Sequence, residues 1–123
     1  MKFKKYYIES KDKKSNCIIR TFCKLFDESY EDVYEELCRI TKEKNCDSYN
    51  DIEVFEEYLN NKNMHKIEYG KDSKIKDLKL DNNSYVVFCY DKKDYYHMIP
   101  IIDNTIYDKD DKCLDLYTIT IYK

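Results

Sequence analysis

Cysteine 17 stands out in this sequence for where it falls. It follows Ser15-Asn16, a pair suited to capping a helix, and precedes Ile19, Phe22, Cys23 and Phe26, which recur at helical spacing. A thiol in the first turn of a helix meets unsatisfied N–H groups and the positive end of the helix dipole. Both stabilise a thiolate and lower the thiol pKa, which makes the sulfur a nucleophile. A cysteine at a helix start can also simply pack, so the position needs partners before it means chemistry. A nucleophilic thiolate works with a base, ordinarily histidine, and the base with a group that orients it. The chain offers two histidines, His65 and His97.

His97 lies between Tyr96 and Met98 in an apolar run that reads as a strand, Tyr95 to Ile102. Asp103-Asn104 is a two-residue hairpin turn if Ile102 pairs with Thr105. That register sets Ile99 opposite Asp108 and His97 opposite Asp110, and it points His97, Asp108 and Asp110 to one face of the sheet. Asp108 is then diagonal to His97 and Asp110 directly across from it, so either aspartate can reach the imidazole. A three-residue loop would reverse the faces.

The other cysteines sit at 23, 38, 46, 89 and 113. Cys23, Cys38 and Cys89 occupy apolar positions of periodic segments, where a thiol acts as a small hydrophobe. No Cys-x-x-Cys occurs, and neither histidine stands at a metal-ligand spacing from a cysteine, so no metal or cofactor is expected. The mixed-sign loop Asp108-Lys109-Asp110-Asp111 is a poor calcium site, with or without His65. Reduced thiols and the lack of an apolar export segment after Met1 point to a cytoplasmic protein.

The elements that must position these residues divide by type. A first helix runs from Asn16 to about Phe26, and a second from a cap at Ser29 to about Lys44, with Tyr30, Val33, Leu37 and Ile40 inward. A third begins near Asp51 with Ile52, Phe55 and Leu59 on one face. Strands follow over His65–Tyr69, Ser84–Tyr90, Tyr95–Ile102, Thr105–Asp108 and Cys113–Tyr122, with one helical turn after Ser73. Ser84–Tyr90 is apolar on both faces and therefore central. Pro100 lacks an N–H, which predicts an unpaired edge or a bulge at that point. Helices first and an antiparallel sheet second make an α+β domain spanning residues 1–123.

Composition narrows the function classes. With 123 residues there is room for one core, and 22 Lys+Arg against 25 Asp+Glu leaves a net charge of −3, unsuited to phosphate neutralisation on nucleic acid. No run of about eighteen apolar residues is present to span a membrane. The single glycine, Gly70, excludes glycine-rich phosphate loops. The absence of Ala and Trp beside 14 Tyr fits A/T-rich coding, as in a low-GC bacterium or its phage.

Asn16-Cys17-Ile18-Ile19-Arg20-Thr21, with Tyr30-Glu31-Asp32-Val33-Tyr34-Glu35-Glu36-Leu37 behind it, resembles the start of small papain-like cysteine-peptidase-fold proteins of bacteria and phages. The run from His97 through Asp103-Asn104 to Tyr107-Asp108 is similar to their histidine-to-aspartate segment. The more distant bacteriocin-leader peptidases share the chain order of Cys, His and Asp. The resemblance implies a papain-like fold, Cys17 as nucleophile, His97 as base, Asp108 as orienting acid, and a protein or peptide as substrate. The chain departs from the pattern in three ways. No Gln stands among Glu9–Lys14 to serve the oxyanion, which leaves the Cys17 N–H and Asn16; Asn104 replaces a turn glycine; and Pro100 is unusual. Two readings follow from this: a cysteine hydrolase of the peptidase or isopeptidase kind, or the same scaffold as a protein-binding module, such as a phage-encoded inhibitor of a host or defence protein.

Overall fold

The computed structural model describes residues 1–8 and 16–123; the Glu9–Lys14 stretch and the candidate cap Ser15 lie outside the described residues. Among the described residues the chain is α+β, with three helices and a six-stranded sheet. Helices α1 (Cys17–Phe26), α2 (Tyr30–Glu43) and α3 (Ile52–Asn61) come first, preceded by strand β1 (Lys2–Lys5). Strands β2 (Lys66–Ile67), β3 (Ser84–Tyr90), β4 (Tyr96–Ile102), β5 (Thr105–Asp108) and β6 (Tyr117–Tyr122) follow, with 3-10 turns at Ile75–Asp77 and Asp111–Asp115. The sheet order is β1-β5-β4-β3-β6-β2.

Local chemistry accounts for the helix limits. Ser29 Oγ accepts the Asp32 N–H at 3.1 Å and starts α2 as its sequence predicts. Asp27, at φ 52° and ψ 46°, enters the left-handed region and ends α1. Asn16 precedes α1, and its carbonyl accepts the Arg20 N–H at 2.9 Å, but its side chain makes no capping bond, contrary to expectation.

The sheet departs from expectation at its ends. It is mixed, not purely antiparallel, because β1 pairs parallel with β5, Phe3 opposite Ile106. Lys-Phe-Lys-Lys is too short and polar to read as a strand alone; it forms only because β5 offers an open edge to pair with. Strand β2 is limited to the two residues facing Ile121 and Tyr122. The final strand starts at Tyr117, since Asp111–Asp115 winds into a 3-10 turn capped by Asp110, whose side chain accepts the Lys112 N–H. The turn expected after Ser73 starts instead after Lys74.

The central hairpin follows its predicted register. Asp103 and Asn104 both have positive φ, 50° and 59°, the geometry of a type I′ turn, and Ile102 pairs with Thr105 and Ile101 with Ile106. Pro100 does not lie at a sheet edge. Strand β4 is interior, Pro100 faces Val86 of β3, and the pairing with β5 covers Ile102 and Ile101 and does not extend to the proline. Antiparallel pairing at Pro100 would require an N–H that the residue lacks.

Strand β3 is apolar on both faces because both are covered. On one, Val86 and Met98 meet Ile19, Phe22, Val33, Leu37, Phe55 and Leu59 of the helices, with Phe22 stacked on Tyr58 at 4.4 Å between ring centroids. On the other, Tyr85, Val87, Ile99, Ile101 and Ile106 lie under Ile75, Leu78, Cys113 and Leu116 from the 3-10 turns and loops. No helix among the described residues is long and apolar enough to cross a membrane. Phe55 is fully buried against Phe88, at 5.3 Å between centroids. Phe55→Ala is expected to lower stability by about 3–5 kcal/mol, read as a lower urea midpoint at unchanged slope.

Candidate active site

Three elements bring the predicted residues together. Cys17 is the first residue of α1, His97 the second of β4 and Asp108 the last of β5. Helix α1 docks on β4 through its apolar face, and the Thr21 hydroxyl donates to the Met98 carbonyl at 3.2 Å, beside His97 in the chain. This docking carries the start of α1 to the imidazole, and Cys17 and His97 line the same two cavities there. The ring nitrogen Nε2 lies 2.7 Å from Oδ2 of Asp108. A carboxylate can only accept there, so Nε2 carries the proton and Nδ1 is left with the lone pair for the thiol.

Asp108 is 3% exposed and both its oxygens are engaged. Oδ2 takes the His97 bond, while Oδ1 accepts from Arg20 Nη2 at 3.0 Å and from the Lys109 backbone N–H at 2.9 Å. Of the two aspartates expected to reach His97, Asp108 is the one that meets it. The Asp110 carboxylate turns away to the Lys112 N–H at 3.0 Å, because the 3-10 turn needs an N-terminal cap. Asn16 is buried next to Cys17, and its Oδ1 accepts from the Tyr49 hydroxyl at 3.4 Å. The first-turn N–H groups of α1, Cys17 included, have no carbonyl four residues back within the helix. His65 is placed elsewhere, with Nδ1 3.0 Å from Asn60 Oδ1 at the end of α3.

Two residues beyond the sequence expectation complete the site. Arg20, one turn after Cys17, is 2% exposed; the signal it left in the sequence is a charge inside the apolar run Ile18-Ile19-Arg20-Thr21-Phe22. Tyr95 stacks on the His97 ring at 5.9 Å with 21° between planes and covers its solvent side. Cavities open on both sides of the Cys17–His97 pair. One of about 460 Å³ is charged and polar, lined by Arg20, Tyr95, Asp108 and Lys112 among others. The second, about 530 Å³, is lined by Ile18, Ile52, Phe88, Tyr96 and Met98. Among the described residues, no group of three or more His, Cys, Asp or Glu side chains is arranged to hold a metal ion, and all six cysteines are free thiols.

The electrostatics oppose burial. Burial by itself pushes the Cys17 thiol up; the hydrogen bond and charge of His97, a backbone bond at Met98 and the Arg20 charge outweigh it, so the thiol lies below its ordinary 9.0. Burial pulls His97 down, yet the bonds and charges of Asp108 and Cys17 raise it from 6.5 to about 9. Asp108 is pushed up by burial and, more strongly, held below 3.8 by His97, the Lys109 N–H and Arg20. The pair therefore favours thiolate and imidazolium. Cys89 and Cys113 differ sharply: burial raises both, well above the ordinary thiol range.

Compared with protein-family models, curated proteins and solved structures, the chain matches none.

Linkage gives the sign of the pH effect on stability. A depressed carboxyl contributes stability that is complete above its unfolded value near 3.8 and is lost as pH falls through the lower folded value. The raised histidine and depressed thiol oppose each other: below about 9, and above both the folded Cys17 value and the unfolded histidine value of 6.5, each state of the pair holds one proton, so their contributions to the slope cancel. Asp108→Asn is expected to cost about 3 kcal/mol at pH 7, by leaving Arg20 and the imidazolium buried without their anion. Urea titrations of both proteins should show that gap closing as pH falls from about 3.8 through the folded Asp108 value.

Proposed function

We propose that this chain is a papain-like cysteine hydrolase that cleaves or transfers acyl groups of peptide or isopeptide bonds. The observation that carries the reading is a helix-start thiol beside a histidine whose far nitrogen donates to a buried aspartate at 2.7 Å. The resemblance over Asn16–Asp108 supports the same assignment, with Cys17, His97 and Asp108 in the order nucleophile, base, orienting acid.

The steps follow from the ionisation of the pair. The Cys17 thiolate attacks the carbonyl carbon; a C–S bond forms and the carbonyl π electrons move to oxygen, which settles against the first-turn N–H groups of α1. As the tetrahedral centre collapses, the C–N bond breaks and the leaving amine takes the proton from His97 Nδ1. Neutral His97 then accepts a proton from water, whose oxygen attacks the thioester, and collapse releases the acid and returns the thiolate. An amine in place of water gives acyl transfer. Throughout, Asp108 holds the ring in one tautomer and offsets its charge when protonated. The apolar cavity beside Cys17 suits a nonpolar substrate side chain next to the scissile bond, and the exposed faces of Tyr95 and Tyr96 offer stacking surface at its rim.

The test is site-resolved alkylation. Iodoacetamide at pH 6, read by peptide mass spectrometry, should label Cys17 roughly 100-fold faster than Cys46 or Cys113, because the Cys17 thiol is held below its ordinary value while burial raises the other two. Cys17→Ala should fold normally and lose any acyl-transfer activity. That activity should fall at high pH with a limb near 9, where His97 loses the proton it gives the leaving group. A Cys17 that reacts no faster than Cys46 refutes the hydrolase and leaves the protein-binding reading.

A further inference from the structure

Arg20 is a formal charge placed where burial is nearly complete, in a helix whose other buried residues include Ile18, Ile19 and Phe22. Isolated burial of a guanidinium is costly, and a buried ion pair often stabilises a fold no better than apolar residues of similar volume. Docking of α1 does not call for it either. The helix is already seated by Ile19 and Phe22 and by the Thr21 bond to Met98. What Arg20 touches is Oδ1 of Asp108, the carboxylate oxygen that His97 does not use.

The backbone leaves this connection to side chains. Strands β4 and β5 pair at Ile102–Thr105 and Ile101–Ile106 only, and the pairing ends before the level of His97 and Asp108. Beyond Pro100 the link between those two residues is the His97–Asp108 bond itself, and a carboxylate held at one oxygen is free to rotate. Arg20 and the Lys109 N–H together hold the second oxygen. Arg20 also lies three residues after Cys17, hence on the same side of α1. Resting on the hydrolase reading, we infer that Arg20 is the positioning residue of this site: its guanidinium pins Oδ1 of Asp108 so that Oδ2 faces His97, and it ties the helix bearing the nucleophile to the strands bearing the base and acid.

Other groups face Asp108. Cys17 and Arg20 of α1, His97 of β4 with Tyr95 just before it, and Lys109, Asp110 and Lys112 after β5 line one cavity with it. Cys89 faces it from β3, and Cys113 from the second 3-10 turn. Two cationic side chains reach it directly, the His97 ring at 2.7 Å on Oδ2 and Arg20 at 3.0 Å on Oδ1.

The experiment compares the wild type with Arg20→Gln and Arg20→Lys in two measurements: the pH dependence of Cys17 alkylation, and the downfield proton NMR signal of His97 Nε2–H. In Arg20→Gln the alkylation rate at pH 6 should drop about tenfold, the acid limb should move to higher pH, and the Nε2–H signal should be lost to exchange. Arg20→Lys keeps the charge without the planar fork and should fall between, with a loss of about threefold and a weakened signal. A folded glutamine variant that keeps the wild-type Nε2–H signal overturns the positioning role even if the acid limb moves, since the limb alone would report the charge of Arg20 acting on the sulfur. If the glutamine variant does not fold, the lysine variant decides, and wild-type behaviour in both measurements overturns the inference. A wild-type Cys17 that is unreactive at pH 6 defeats the hydrolase instead, and Arg20 is then judged by the Nε2–H signal alone.

Discussion

Everything at this site depends on one buried carboxylate being kept ionised. Asp108 is almost wholly removed from water, and a lone carboxylate there would simply take up a proton. It stays charged because its lone pairs are matched by the Arg20 guanidinium, the Lys109 N–H and the His97 ring. That negative charge holds a proton on His97 despite burial, and the imidazolium in turn lets the Cys17 sulfur give its own proton up. The chain of dependence runs from arginine to thiolate through two side chains, Asp108 on β5 and His97 on β4.

The architecture makes this network possible by keeping water away from it on two sides. Helices cover one face of the sheet and the 3-10 turns cover the other, so β4 runs between two apolar layers with Met98 turned toward the helices and Ile99 away. His97 shares the Ile99 face, where Cys113 and Leu116 lie, and the start of α1 reaches it past the point where β4 and β5 cease to pair. In a low-dielectric setting the hydrogen bonds and charges of the site act at greater strength, which is why burial does not neutralise the pair.

Pro100 gains meaning in this setting. In an interior strand it removes a ladder bond, ordinarily a loss. Here it coincides with the end of β4–β5 pairing, and the next link between the two strands is a side-chain bond between His97 and Asp108. A continuous ladder would have carried backbone bonds into the region that Arg20 and Cys17 enter from α1.

Local periodicity and turn chemistry alone determined much of this protein. The helical stripes of α1 to α3, the cap at Ser29, the two-sided strand at Ser84–Tyr90 and the Asp103-Asn104 turn each depend on neighbours within a few residues, and all are legible along the chain. The hairpin register followed from that turn, and with it the facing of His97 and Asp108. What sequence could not settle were choices made between distant segments. Strand β1 exists because β5 has an open edge, Asp108 rather than Asp110 meets His97 because a 3-10 turn claims the latter, and Arg20 matters because a carboxylate 88 residues away needs a second partner. Local preferences are set by short-range sterics and hydrogen bonding, whereas the pairing of buried charges is decided only when packing has removed water from both.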